Sequence, residues 1–216
     1  MSRYDIALFD LDGTISESAE GIKYCIKLTL DEMGKPHPDL SDYSKYIGPP
    51  LVKTFQKLCL LSPQEAQKAV EIYVKHYDVE GLKRNRLYDG IEEVLKACNE
   101  NGVKISVCSS KNEKIAKEVV DLLGVTKYFD ALCGSNIDGT RKEKEELIPY
   151  ALETLGAHHG EKVVMIGDTK FDCVGAKKCG VDFIGVTYGY GKQQDMDDAG
   201  AVTFATAPSD LHELLF

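Results

Sequence analysis

The sequence predicts an α/β protein: a Rossmann-like core built on a parallel sheet with helices on both faces, plus an inserted unit made only of helices. Six short apolar runs alternate with amphipathic helical patterns over most of the 216 residues, as strand–helix–strand units do. Residues 16–86 break that rhythm and read as helix after helix with no strand. Three of the apolar runs end in polar residues, at Asp10, Ser109 and Asp168, which suits strands whose carboxyl ends carry a site.

The first strand is expected at 4–9, where Ile6, Ala7, Leu8 and Phe9 form a buried run. The inserted unit opens with a helix over 18–33, with Ile22, Ile26, Leu30 and Met33 spaced near four and Gly34 and Pro36 ending the pattern. Ser62-Pro63-Gln64-Glu65 is a capping box with proline at the first helical position. After it, Ala66, Ala69, Val70, Tyr73 and Tyr77 make an apolar stripe. The sheet unit resumes with a helix over 91–101, on which Ile91, Val94, Leu95 and Cys98 share a face before Asn101-Gly102 stops it. A strand at 103–108 leads to a helix over 112–123, capped by Asn112 and stopped by Gly124. Strands follow at 129–133, 163–167, 181–187 and 201–205, with helices at about 144–155 and 170–179. The expected organisation is a sheet core of 1–15 and 87–216, with 16–86 as a helical cap.

Hydrophobic residues make up 43% of the chain, enough for a core, and no run approaches the roughly 18 apolar residues of a membrane span. Met1, Ser2 and Arg3 lead straight into the first strand, without the layout of a signal peptide. The net charge of −9 and the absence of a basic stripe argue against a nucleic-acid partner. Seven cysteines form no C-x-x-C pair and sit mostly in apolar segments, as free thiols do in a reducing compartment. Cys173 stands out because it follows a candidate site residue. A cytoplasmic monomer without membrane or nucleic-acid partners is expected.

The stretch YDIALFDLDGT places Asp10 and Asp12 at the end of a strand that belongs in the interior. If the strands ending at Asp10, Ser109 and Asp168 are neighbours, those residues meet in one crevice, and Asp172, one turn into the next helix, faces it too. Asp10, Asp12, Asp168 and Asp172 then share a small volume, which is tolerable only if a cation completes it. Oxygen-only ligands with places left for water point to Mg²⁺. Arg141, Lys142 and Lys144, at the start of a helix, supply a candidate cation for an anion bound there.

DLDGT, the serine in VCSSK, a lysine upstream of the fourth strand and GDTKFD, in this order, resemble the haloacid dehalogenase-like hydrolases. More specifically the chain resembles the phosphatases of the phosphoglycolate phosphatase and nucleotidase-like branch, over essentially its whole length. The resemblance implies Asp10 as a nucleophile that forms an aspartyl-phosphate and Asp12 as general acid and base, with its backbone carbonyl on the metal. It implies Ser109 as a holder of a phosphoryl oxygen. Lys144 would neutralise that group and orient Asp10, with Lys142 as the alternative because Glu145 stands where this branch commonly has proline. Asp168 would bind Mg²⁺ directly, and Asp172 directly or through water. Gly13 and Thr14 would let backbone N–H groups approach the phosphate.

The same resemblance makes the helical unit a substrate filter, with Ser110, Gly48 and Pro49 facing the substrate and 16–18 and 83–89 as hinges. Ile15-Ser16-Glu17-Ser18 departs from the Leu-Val-Asp-Ser common at that hinge. Only about 34 residues separate Ser109 from Lys144, too few for a second large lid. The expected substrate is a small organic phosphate monoester. A sugar phosphomutase, or a switch module phosphorylated on Asp10 without turnover, are the alternatives. Asp12 argues against dehalogenase chemistry, and the first motif against a phosphonate-cleaving enzyme using Lys53. His158-His159 reads as exposed polar filler and YGYGK (188–192) as a loop at the rim of the crevice.

Overall fold

A computed structural model describes residues 2–136 and 140–216. In chain order the elements begin with β1 (Ile6–Phe9) and β2 (Ser16–Glu17). The helical stretch holds α1 (Ala19–Glu32), α2 (Leu51–Lys57) and α3 (Pro63–His76), which continues into a π-helical turn over Tyr77–Gly81. Then come β3 (Arg86–Leu87), α4 (Ile91–Glu100), β4 (Lys104–Asn112), α5 (Glu113–Leu122), β5 (Ala131–Ser135) and α6 (Lys144–Thr154). The chain closes with β6 (Val163–Gly167), α7 (Lys170–Cys179), β7 (Asp182–Val186), α8 (Gln193–Ala199), β8 (Phe204–Ala205) and α9 (Asp210–Leu215).

Six of these strands form one sheet in the order β5-β4-β1-β6-β7-β8, every pair parallel. Counted among themselves they run 3-2-1-4-5-6, the doubly wound Rossmann order, so the topological switch lies between β1 and β6. β1 is buried on both faces, and alternation assigns its residues to two cores. Ala7 and Phe9 join the core that also holds Leu95, Val119 and Ile166, whereas Ile6 and Leu8 pack with Leu147, Ile148 and Met165. Each of the larger side chains contributes roughly 1.5–3 kcal/mol by leaving water.

All six expected sheet strands form, and so do the five helices anticipated in the sheet unit and at 18–33. The Ser62–Glu65 capping box and the Asn112 cap are present. Two features differ. Residues 16–86 were expected to hold no strand, yet β2 pairs antiparallel with β3 through Ser16–Leu87 and Glu17–Arg86, and Arg86 grips Glu17 at 2.7 and 2.8 Å. Two-residue strands carry no periodic signal, so only their pairing defines them. Helices α8 and α9 were not anticipated either; at seven and six residues they show barely two turns of pattern. No helix of the described residues is long and apolar enough to cross a membrane.

The helical stretch lies against the sheet unit. Gly48, at φ +99°, comes so close that a Cβ there would stand 2.9 Å from Thr169 Cγ2. Lys53 Nζ lies 2.9 Å from Glu143 Oε1.

Candidate active site

The turn after β1 is shaped by its own hydrogen bonds. Leu11 N donates to Asp10 Oδ1 at 2.7 Å, Gly13 N to Ser16 O at 2.9 Å and Thr14 N to Leu11 O at 3.3 Å. The N–H groups of Gly13 and Thr14 are therefore engaged within the turn, and neither residue lines the neighbouring cavity, which differs from their expected approach to a phosphate. Gly13 matters for another reason. Its φ is +86°, and a Cβ there would lie 2.2 Å from Asp168 Oδ2. Gly13→Ala is expected to cost roughly 1–3 kcal/mol. Urea unfolding checks it.

Asp10, at the end of β1, and Asp168, at the end of β6, meet across the switch point, and the first turn of α7 adds Asp172. One carboxylate oxygen from each lies within 4.8 Å of the others, and all three residues are buried. Asp172 Oδ2 accepts from Thr169 N at 3.0 Å and Thr169 Oγ1 at 2.7 Å, closing the N-terminal cap of α7. Asp168 Oδ2 accepts from Tyr190 N at 2.7 Å and Gly191 N at 3.2 Å. The YGYGK loop is thus more than a rim: its backbone holds Asp168, and the Tyr190 hydroxyl accepts from Ser18 N at 2.6 Å and Ala19 N at 2.9 Å at the start of α1.

Lys144 is the cation of this cluster. Buried at the first position of α6, its Nζ lies 3.0 Å from Asp10 Oδ1 and 2.7 Å from Asp172 Oδ1, and donates to Cys108 O at 2.6 Å. The glycine at 175 gives it room, since a Cβ there would lie 2.3 Å from Lys144 Cβ. Lys142 stands apart on the cavity wall. Burial lowers the Lys144 ammonium's pKa, but Asp10 and Asp172 outweigh it and the net shift is upward. Burial, together with Asp172, pushes Asp10 up to about 6 against the pull of Lys144. Burial, then Asp172 and Asp10, holds Asp168 well above the usual carboxylate range.

One ammonium among three carboxylates leaves negative charge uncompensated. Asp168 Oδ1 is buried without a hydrogen-bond donor among the described residues, and Asp172 Oδ1 has only its ion pair with Lys144. An oxygen-only donor set of this size fits a hard divalent cation such as Mg²⁺.

Asp12 is placed differently from the other three. The four carboxylates are expected from the sequence to share one small volume; three form a cluster, and the fourth is paired with Lys111. Asp12 Oδ1 and Oδ2 lie 3.0 and 2.9 Å from Lys111 Nζ. β4 runs on past its apolar part as far as Asn112, which carries Lys111 over the turn to reach Asp12. The lysine was visible in VCSSK, but nothing in the strand's pattern gave it a partner. Ser109 is buried, and its Oγ accepts from Lys111 N at 3.3 Å.

A cavity of about 290 Å³ opens above this floor. Asp10, Asp12, Ser109, Ser110 and Lys111 line it from the sheet side, and Gly48, Pro49, Val70, Tyr73 and Tyr77 from the helical stretch. The structure so brings together Asp10, Asp12, Ser109, Ser110, Gly48 and Pro49 around one space. Lys144, Asp168 and Asp172 sit beneath it, behind Asp10.

Comparison with known proteins agrees with this geometry. A sequence model of the family described as haloacid dehalogenase-like hydrolase matches residues 7–186. The chain belongs to that family. It is 39% identical to a 5'-nucleotidase of Pseudomonas aeruginosa over 90% of this chain and 87% of that protein. It is 30% identical to a phosphoglycolate phosphatase of Aquifex aeolicus over 97% and 96%. A tyrosine-protein kinase, PtkA of Mycobacterium tuberculosis, is 32% identical over 97% of this chain and 72% of that protein. Among solved structures, a predicted phosphatase from Clostridium acetobutylicum superposes with a TM-score of 0.91 at 36% identity, over 98% and 97% of the two chains. The haloacid dehalogenase-like fold and the family's phosphatases thus account for the sheet order and for the strand-end carboxylates together. This member of the family is a phosphatase.

Proposed function

We propose that this phosphatase is Mg²⁺-dependent and hydrolyses a small organic phosphate monoester through an aspartyl-phosphate on Asp10. The observation that carries the reading is the setting of Asp10: a buried carboxylate with one oxygen fixed by Leu11 N and Lys144, facing a cavity beside a donor set suited to a divalent cation. Mg²⁺, held by Asp10, Asp168, Asp172 and the backbone carbonyl of Asp12, would supply charge neutralisation for the phosphoryl oxygens.

Asp10 Oδ1 is held, so Oδ2 is the attacking oxygen. A bond forms from it to phosphorus as the ester P–O bond breaks, and Asp12, entering this step in its protonated form, gives the leaving oxygen its proton. Water then attacks phosphorus, passing a proton to Asp12, as the P–O bond to Asp10 breaks; phosphate leaves and the Asp10 carboxylate is restored. Ser109 holds a phosphoryl oxygen by its hydroxyl. Lys144 keeps Asp10 oriented and offsets its charge.

Residues 16–86 serve as the lid and the remainder as the core, hinged at the β2–β3 ribbon; closure excludes water from the site. The walls the lid supplies are mostly apolar, with Ile47, Val70 and Val74 beside Tyr46, Tyr73 and Tyr77. Of the lining cations, Lys111 is already paired with Asp12 and Lys142 is left. Such walls favour a leaving group with a ring, as in a nucleoside monophosphate, over the carboxylate of phosphoglycolate. The similarity to a 5'-nucleotidase points the same way. A cytoplasmic monomer acting on a free small molecule fits the acidic surface charge.

Activity is expected to vanish in excess chelator and to return with Mg²⁺; turnover that ignores the chelator overturns the metal assignment. Across a panel of phosphomonoesters, kcat/KM is expected to be highest for nucleoside monophosphates. A maximum at phosphoglycolate rejects the ring-binding reading.

A further inference from the structure

We infer that Lys111, seated on Tyr77 of the helical lid, is a positioning residue that aims the Asp12 carboxylate; the inference rests on the roles proposed above for Asp10 and Asp12. Lys111 comes from core strand β4 and Tyr77 from the turn after α3, so one ammonium joins the acid to both units. Its Nζ makes two contacts with Asp12, at 3.0 and 2.9 Å, and stands 4.4 Å from the centroid of the Tyr77 ring. The lysine side chain is 9% exposed and that of Asp12 16%, so neither moves freely in water. Two charge-assisted contacts from one ammonium hold the carboxylate toward Lys111, and the aromatic face holds the ammonium.

Tyr77 is itself held firmly. It is fully buried and begins the π-helical turn Tyr77–Gly81, an irregularity that redirects side chains and often marks functional sites. Gly81 leaves space for the ring, since a Cβ there would lie 2.4 Å from Tyr77 Cδ2. The Tyr77 hydroxyl lies 3.2 Å from Asn85 Oδ1 and 3.1 Å from Asn85 Nδ2. Asn85 Nδ2 also donates to Gly81 O and Leu82 O, both at 3.0 Å, and Asn85 Oδ1 accepts from Ser16 Oγ at 3.0 Å. Ser16 and Asn85 stand at the two chain crossings between core and lid. The path Asp12–Lys111–Tyr77–Asn85–Ser16 therefore sets the acid by the seat of the lid.

Leaving-group dependence tests this. An aryl phosphate such as p-nitrophenyl phosphate expels a stable phenolate and needs little protonation. The best alkyl phosphate of the panel expels an alkoxide and needs the acid. kcat/KM reports steps only as far as the aspartyl-phosphate, so the later water step drops out. Lys111→Met is expected to lose roughly 10- to 100-fold more kcat/KM on the alkyl than on the aryl substrate, within the roughly 10²–10⁴ of general acid catalysis. Tyr77→Phe keeps the ring under the ammonium and loses only the hydroxyl tie. It is expected to show the same bias at several-fold, with an unfolding midpoint near that of the wild type. If Lys111→Met does not fold, Tyr77→Phe decides alone. Equal losses on both substrates overturn the inference, since a purely structural role or a direct hold on the phosphate affects both alike. Turnover that survives in Asp10→Asn instead removes the underlying assignment, and the positioning role with it.

Discussion

Asp10→Asn is expected to lose phosphate release from p-nitrophenyl phosphate by roughly 10⁴-fold or more, the scale seen when an activated nucleophile is removed. The amide keeps the size of the carboxylate, so the β1 strand and its turn remain. What it loses is the charge of the oxygen proposed to attack, which nothing nearby replaces: Asp172 and Asp168 are held by Thr169 and the Tyr190 loop. Asn also removes one of the three charges crowded around Lys144, so the folded state should not suffer, and thermal unfolding is expected at or above the wild-type midpoint. Phosphate release at more than a few per cent of wild type, from a protein shown to be folded, would falsify Asp10 as nucleophile.

Lys144→Met is expected to be the most damaging change to stability, costing roughly 3–5 kcal/mol in chelator, the usual consequence of removing one member of a buried ion pair. Asp10 and Asp172 lose the ammonium that sits 3.0 and 2.7 Å away. With no solvent to replace it, they must take up protons or separate. Millimolar Mg²⁺ should return part of the loss, because a ligand that binds only the folded state stabilises it by mass action. Lys142→Met, on the open cavity wall, should change stability by no more than roughly 0.5 kcal/mol. Urea unfolding of both variants, with and without Mg²⁺, separates the two lysines. Equal stability of Lys144→Met and wild type in chelator would mean that the ion pair contributes nothing.

Much of this site could be read before the fold was known. Asp10, Ser109 and Asp168 each end an apolar run, and a parallel sheet gathers strand ends at one edge. Asp172 follows Asp168 by one helical turn, a spacing that the sequence states outright. Lys144 was harder to choose, because Arg141, Lys142 and Lys144 all precede the same helix. Burial separates them: position 144 opens α6 where that helix packs against α7 at Gly175, whereas position 142 lies outside the helix.

Other features were not written locally. Lys111 lies 99 residues from Asp12 and Tyr190 lies 172 from Ser18, and no periodic pattern reports a pair so far apart. Likewise the β2–β3 ribbon joins residues 16–17 to 86–87, with two residues on each side. The backbone N–H groups of Gly13 and Thr14 seemed available in the sequence, until the turn's own hydrogen bonds engaged them.

The sequence by itself determined the alternation of strands and helices, the helical insertion, and which strand ends carry carboxylates, because hydrophobic period and residue spacing act within a few residues. The tertiary structure decided which charges pair. It set Lys144 beneath Asp10 and Asp172, turned Asp12 to Lys111, and placed the Tyr190 loop under Asp168. Those outcomes depend on burial and on distances between segments far apart in the chain, where removal from water, more than residue type, fixes the strength of an electrostatic contact.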